Sequence, residues 1–270
     1  MFYALVLSGC VATPYIGPDG NMETDGGTPK PDAGGCFGNN DGIIARGELQ
    51  LTVGLSVDYL VQSGSQTQPI AAQPAGTTSG GVTTWDFSGV SGNRKTLALS
   101  PPGGWYAGYF PQASYVTTTY LADGTLGAFG VTDNAVLLYG FASPDPNKTV
   151  LPYQQPVTVL ELPIVYGMRY QSQGTVTNGT LGGTPWAEVD TYVVAVDTTG
   201  ALLLGFLRLD HTLRIRTDLT QQLPGGLVQT QIQYGYWHEC FGEVARVTSL
   251  FDETDPNFTR ASEVRVIAPP

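Results

Sequence analysis

The chain is poor in charge and poorer still in positive charge. Among 270 residues, 12 Lys plus Arg stand against 23 Asp plus Glu, for a formal net charge of −11. That deficit excludes the basic surface with which proteins hold phosphate backbones, so no nucleic acid is expected as a partner. It also excludes adhesion to anionic lipid by charge alone. Histidine occurs only as His211 and His238. The chain has no His-Glu-x-x-His, Cys-x-x-Cys, Walker loop or Gly-x-Ser-x-Gly elbow, which removes the common sequence signatures of zinc peptidases, dithiol oxidoreductases, nucleotide hydrolases and α/β-hydrolases. No apolar run approaches the ~20 residues of a spanning helix. No stretch sustains a 3.6-residue period, so helix should be minor, and no repeat of propeller or solenoid length is present.

What the chain does have is Gly (35), Pro (19) and Thr, a turn-and-strand composition. Leu49, Leu51, Val53, Leu55, Val57 and Tyr59 alternate with polar or small residues, which predicts one long strand with a single buried face. Shorter strands are expected at 82–87 and 95–99. Hairpins follow at 115–121 with 125–131, where Asp123-Gly124 supplies the turn, then 136–141, a Pro-rich crossover, and 157–162. Strands at 186–196 and 201–209 are separated by Asp197-Thr198-Thr199-Gly200, followed by 211–219, 227–236, 239–250 and 263–267. Strands joined in sequence order by hairpins imply a meander that must curl or stack to bury its apolar faces. The expected fold is one all-β domain over 36–270, a mainly antiparallel curved half-barrel or β-sandwich with little helix.

Ahead of that domain, the apolar run Phe2–Val6 leads into Leu7-Ser8-Gly9-Cys10, which resembles a bacterial lipobox. The resemblance implies a lipid on Cys10 and an exported protein held at the outer membrane or cell surface, since Val11 replaces the Asp of inner-membrane retention. No Lys or Arg precedes Cys10, so 1–10 reads as a truncated signal whose start lies upstream. Residues 11–35, rich in Gly, Pro, Asp and Thr, cannot bury enough surface to offset ordering entropy and form a tether. With Cys10 lipidated, Cys36 and Cys240 remain as an even pair in an oxidising compartment, and a disulfide between them is expected. The chain-entropy model assigns such a long loop roughly 4–5 kcal/mol.

After Cys36, Asn39, Asp41, Gly42, Ile44 and Glu48 fall at positions 3, 5, 6, 8 and 12 of an EF-hand loop. Phe37 occupies position 1, where the first carboxylate belongs. The segment therefore predicts either a weak calcium site on Asn39, Asp41 and Glu48 or a plain Asp-Gly turn with no cofactor. The same residues resemble a Cys-x-x-Asn-x-Asp-Gly-x-Ile-x-x-x-Glu stretch following the tether in envelope lipoproteins of the myxobacterial kind. Val189–Arg216 resembles a hairpin of secreted β-rich proteins of Gram-negative bacteria without assigned activity, and it transfers no site residues.

Catalytic signals are sparse. His238 and Glu239 are adjacent on a strand and point to opposite faces. Glu188 and Asp190, spaced i, i+2, share a face, which meets the coarse geometry of a glycosidase pair. Aromatics on Gly-rimmed segments give a candidate ligand platform at Trp105, Tyr106, Tyr109, Tyr236 and Trp237. The expected function is a lipid-anchored, non-enzymatic structural or interaction module of the cell envelope, bound to the membrane through Cys10 and meeting an envelope protein or apolar ligand. A carrier enclosing a lipid or other apolar molecule is the alternative, and a hydrolase the second.

Overall fold

The computed structural model describes residues 38–120, 124–145 and 149–269. The 1–10 signal, the 11–35 tether, Cys10 and Cys36 lie outside the described residues. The described residues are all β apart from three 3-10 turns. Its strands are β1 (Ser56–Ser63), β2 (Ile70–Ala71), β3 (Thr77–Ser79), β4 (Val82–Asp86), β5 (Asn93–Ala98), β6 (Tyr115–Tyr120), β7 (Thr125–Val131) and β8 (Ala135–Ala142). The later strands are longer: β9 (Val150–Glu161), β10 (Arg169–Leu181), β11 (Thr184–Leu204), β12 (Leu207–Leu223) and β13 (Leu227–His238), followed by β14 (Gly242–Ser249) and β15 (Arg260–Ile267).

All of them join one sheet. The main path runs β5-β1-β15-β14-β13-β12-β11-β10-β9-β8-β7-β6. From β6 to β15 it is the expected meander, with each strand antiparallel to the next. The two ends touch at a bridge between Ser100 and Val116, with N···O distances of 3.0 and 2.8 Å. The sheet is thus a nearly closed half-barrel, the arrangement that leaves the fewest unpaired edges.

Burial alternates cleanly along β11, where Glu188, Asp190, Tyr192, Val194 and Val196 are buried and the residues between them are half exposed. In β14 every residue is buried. The difference comes from what covers the outer face. Two excursions, at 64–92 and 250–259, fold back over β12–β15. Trp85 and Phe87 meet the Tyr236 ring edge-on at 5.1 and 5.0 Å, and Phe258 stacks on Tyr234 at 5.9 Å. Pro74 O accepts hydrogen bonds from Arg214 Nη1 and the Tyr236 hydroxyl. An inner core containing Phe129, Leu138, Tyr192 and Trp237 is therefore backed by a second core outside the sheet around Trp85, Tyr234 and Tyr236.

The excursion ends in an unusual pairing. β4 runs parallel to Gly200–Leu203 at the end of β11. A Cβ on Gly200 would lie 2.2 Å from Thr83 O, so only glycine admits this approach.

Candidate functional site

The inward face of the half-barrel carries two clusters of buried ionisable groups, which differ in how their charge is compensated. The first is built on β11. Glu188 and Asp190 do share a face, and both point inward, at 5 % and 0 % exposure. Two residues of strand put their Cα atoms roughly 6–7 Å apart. Asp190 Oδ2 accepts the Tyr153 hydroxyl at 2.5 Å and Oδ1 accepts Gln221 Nε2 at 3.0 Å. The Tyr153 and Tyr192 hydroxyls are 2.9 Å apart. With the Tyr153 proton directed to Asp190, Tyr192 is the donor in that pair. Trp186 Nε1 donates to Glu188 Oε2 at 2.7 Å, while Glu188 Oε1 is buried with no hydrogen-bond partner among the described residues.

Local packing fixes this arrangement. Gly174 of β10 lies opposite Asp190, and a Cβ there would fall 2.6 Å from the Tyr153 ring. The missing side chain is what lets Tyr153 of β9 cross to β11. Burial, reinforced by the neighbouring Asp190 charge, pushes the Glu188 carboxyl up to about 7. Burial also raises Asp190, to about 6, against the lowering effect of the Tyr153 and Gln221 hydrogen bonds. Burial and the Asp190 charge hold Tyr153 and Tyr192 well above the usual phenol range. The pair has the chemistry of a proton donor and acceptor, and both carboxyls are buried in this conformation.

The second cluster spans β13–β15. Glu243 accepts from both Arg246 and Arg265, and Arg265 Nη1 lies 3.8 Å from Glu263 Oε1. The Arg265 guanidinium sits 5.0 Å over the Tyr59 ring. Arg246 also reaches Gln233 Oε1 at 3.3 Å, and Gln233 Nε2 is buried without a hydrogen-bond partner among the described residues. A recess of about 20 Å³ lies beside them, lined by Thr217, Gln233, Trp237 and Arg246 with apolar neighbours. That is room for about one water.

At the start of the described chain, the loop resembling a calcium site spends its side-chain oxygens on its own backbone. Asp41 Oδ1 accepts Ile43 N–H, Asn39 Oδ1 accepts Asp41 N–H, and Glu48 Oε2 accepts Ala45 N–H. The carboxylate at the centre comes from elsewhere: Glu239 accepts Asn40 N–H at 2.6 Å and Gly42 N–H at 3.0 Å. The loop is a clamp that closes on the turn between β13 and β14. Among the described residues, no group of three or more His, Cys, Asp or Glu side chains gathers as a metal site. Cys240, next to Glu239, sits in that turn at φ 63°.

The five aromatics singled out in the sequence do not form one platform. Trp105, Tyr106 and Tyr109 cluster on a 3-10 turn, Gly104–Tyr109, with ring centroids 6.0 and 6.3 Å from Trp105. Tyr109 is exposed, and Trp105 Nε1 donates to Ser143 O. Tyr236 and Trp237 are core residues at 0 % and 2 % exposure, on opposite faces of β13. Both faces are covered there, so neither ring is available as a ligand surface. His238 Nδ1 lies 2.8 Å from Glu239 O, a backbone contact that forms no catalytic dyad.

Sequence reasoning paired Glu188 with Asp190 but missed Tyr153, Tyr192 and Gln221 around them. It also missed the Glu243–Arg265 network, although Arg246 and Arg265 inside otherwise apolar strands were a signal for it. No family model, curated protein or solved structure matches the chain.

Proposed function

We propose that this chain is a lipid-anchored, non-enzymatic structural or interaction module of the cell envelope, tethered through Cys10 and stapled by Cys36–Cys240. The observation that carries this reading is a close contact at Gly38, the first described residue. Gly38 packs against the Glu239–Cys240 turn so closely that a Cβ on it would lie 3.4 Å from the Cys240 sulfur. In the sequence, Cys36 lies two residues before Gly38. A staple at this point would make the end of the tether the start of the domain. The resemblance of Leu7–Cys10 to a lipobox supplies the anchor.

The packed interior favours a module over a carrier, because Tyr153, Tyr192, Phe129 and Trp237 fill the space a lipid would need. The buried acid pair, closed behind Trp186, likewise favours a non-enzymatic role over hydrolysis.

The test is expression in a Gram-negative host with a complete lipoprotein signal ahead of Cys10. The expected result is an acylated N-terminal Cys10 by mass spectrometry, membrane partition that Cys10→Ala abolishes, and a Cys36–Cys240 peptide in the non-reduced digest. An unmodified Cys10 in a soluble product would overturn the anchor, and two alkylatable thiols at 36 and 240 would overturn the staple.

A further inference from the structure

We propose that Glu188 and Asp190 form a proton-held latch at the end of the half-barrel made by the β10–β11 hairpin. While the pair carries a proton, that end stays closed over the Tyr153–Tyr192 interior; when both carboxyls ionise, it loosens and uncovers it.

The geometry requires such a response. Among the described residues, the groups that hydrogen-bond to the pair are neutral: Tyr153 from β9, Trp186 from β11 and Gln221 from β12, with Tyr192 behind Tyr153. β10 brings only Gly174 and Val176 opposite the two acids. Among the described residues, no Lys, Arg or His shifts either carboxyl. Two like charges in a low-dielectric interior repel strongly, and neither can be buried at low cost without a counter-charge. Glu188 Oε1 has no hydrogen-bond partner among the described residues, so its charge has the least compensation there. The remaining relief is to admit water, which means opening the strands.

The strand pairing around the acids is irregular. β9 and β10 pair at Thr180–Val150, after which side chains bridge them: Ser172 Oγ accepts Thr158 N–H and the Tyr170 hydroxyl accepts Glu161 N–H. The β10–β11 ladder slips between Val176 and Gly179. Trp186, half-buried, packs against the inner core and donates to Glu188. Both carboxyls titrate above their ordinary range, so the folded state holds protons that the unfolded chain has released. The closed form is therefore favoured at acidic pH and weakens as pH rises through about 6 to 7.

The test is amide hydrogen exchange on the full chain at pH 5 and pH 8.5, corrected for intrinsic rates, in the wild type and Glu188→Gln. The proposal expects protection in β10 and the first half of β11 to fall tenfold or more at pH 8.5 in the wild type. In Glu188→Gln that fall should be largely abolished, with β13–β15 unchanged in both proteins. Equal protection at both pH values, or the same fall in Glu188→Gln, overturns it. Infrared spectroscopy of the wild type serves if the variant does not fold. A protonated-carboxyl band that survives to near neutral pH and vanishes by pH 8.5 supports the latch, and its absence above pH 5 overturns it.

Discussion

The two charged clusters on the inward face solve the same problem in opposite ways. Around Glu243, two guanidinium groups answer two carboxylates, so the charge of β13–β15 sums to nearly nothing within a few ångströms. Around Glu188 and Asp190 the donors among the described residues are a hydroxyl, an amide and an indole. Hydrogen bonds can lower the cost of one buried carboxylate but cannot cancel the repulsion between two. The compensated cluster is a fixed structural element, and the uncompensated one depends on a proton.

Cutting the compensated cluster should have the largest effect. Glu243→Gln leaves Arg246 and Arg265 buried without their shared anion, and we expect a loss of about 3–5 kcal/mol in chemical denaturation, much the same at pH 5 and pH 8.5. The acid pair should behave in the opposite way. Glu188→Gln is expected to be near neutral at pH 5 and to stabilise by on the order of 2–3 kcal/mol at pH 8.5, because the raised carboxyl no longer has to ionise. A pH-independent effect of either sign would erase the contrast.

Tyr153→Phe removes the hydroxyl that Asp190 accepts. It should cost about 1–3 kcal/mol in thermal or denaturant unfolding and move the Asp190 titration further up. The smallest effect is expected outside the barrel. Arg208 and Asp210 form a 2.8 Å pair whose side chains are 52 % and 57 % exposed, so Arg208→Ala should change stability by less than about 1 kcal/mol.

The strands that sequence patterning places best are those with one buried face. Thr125–Val131 appears as expected, and 136–141 extends by a residue at either end. The misses have physical causes. Residues 49–59 do not form one strand: Gly54 turns at φ 95°, and β1 begins only at Ser56, although Leu49 and Leu51 are buried as the alternation implied. Asp197–Gly200 reads as a turn but lies inside the 21-residue β11. There the chain bulges twice against β12, and Arg214 pairs with Asp197 at 2.8 Å. The true reversal is at Gly205-Phe206.

β10 escapes notice because its inward positions include Gly174, kept small for the Tyr153 ring, so the apolar alternation is missing where the packing needs it gone. The first half of β9 was hidden by Pro152 and Pro156, which the sheet tolerates where its ladder to β10 is sparse. For the site, i, i+2 spacing put Glu188 and Asp190 on one face. Nothing local could reveal that Tyr153 and Gln221 arrive from other strands, or that Glu239 closes the 38–48 loop from across the chain.

The contrast between the clusters rests on one quantity, the protonation of the acid pair in the folded protein. Carbon-13 NMR of the Glu and Asp side-chain carboxyls across pH 4 to 9 measures it directly. The account predicts two coupled transitions, near 7 for Glu188 and near 6 for Asp190, assigned by their loss in Glu188→Gln and Asp190→Asn. Both carboxyls fully ionised by pH 5 in the folded protein would contradict it.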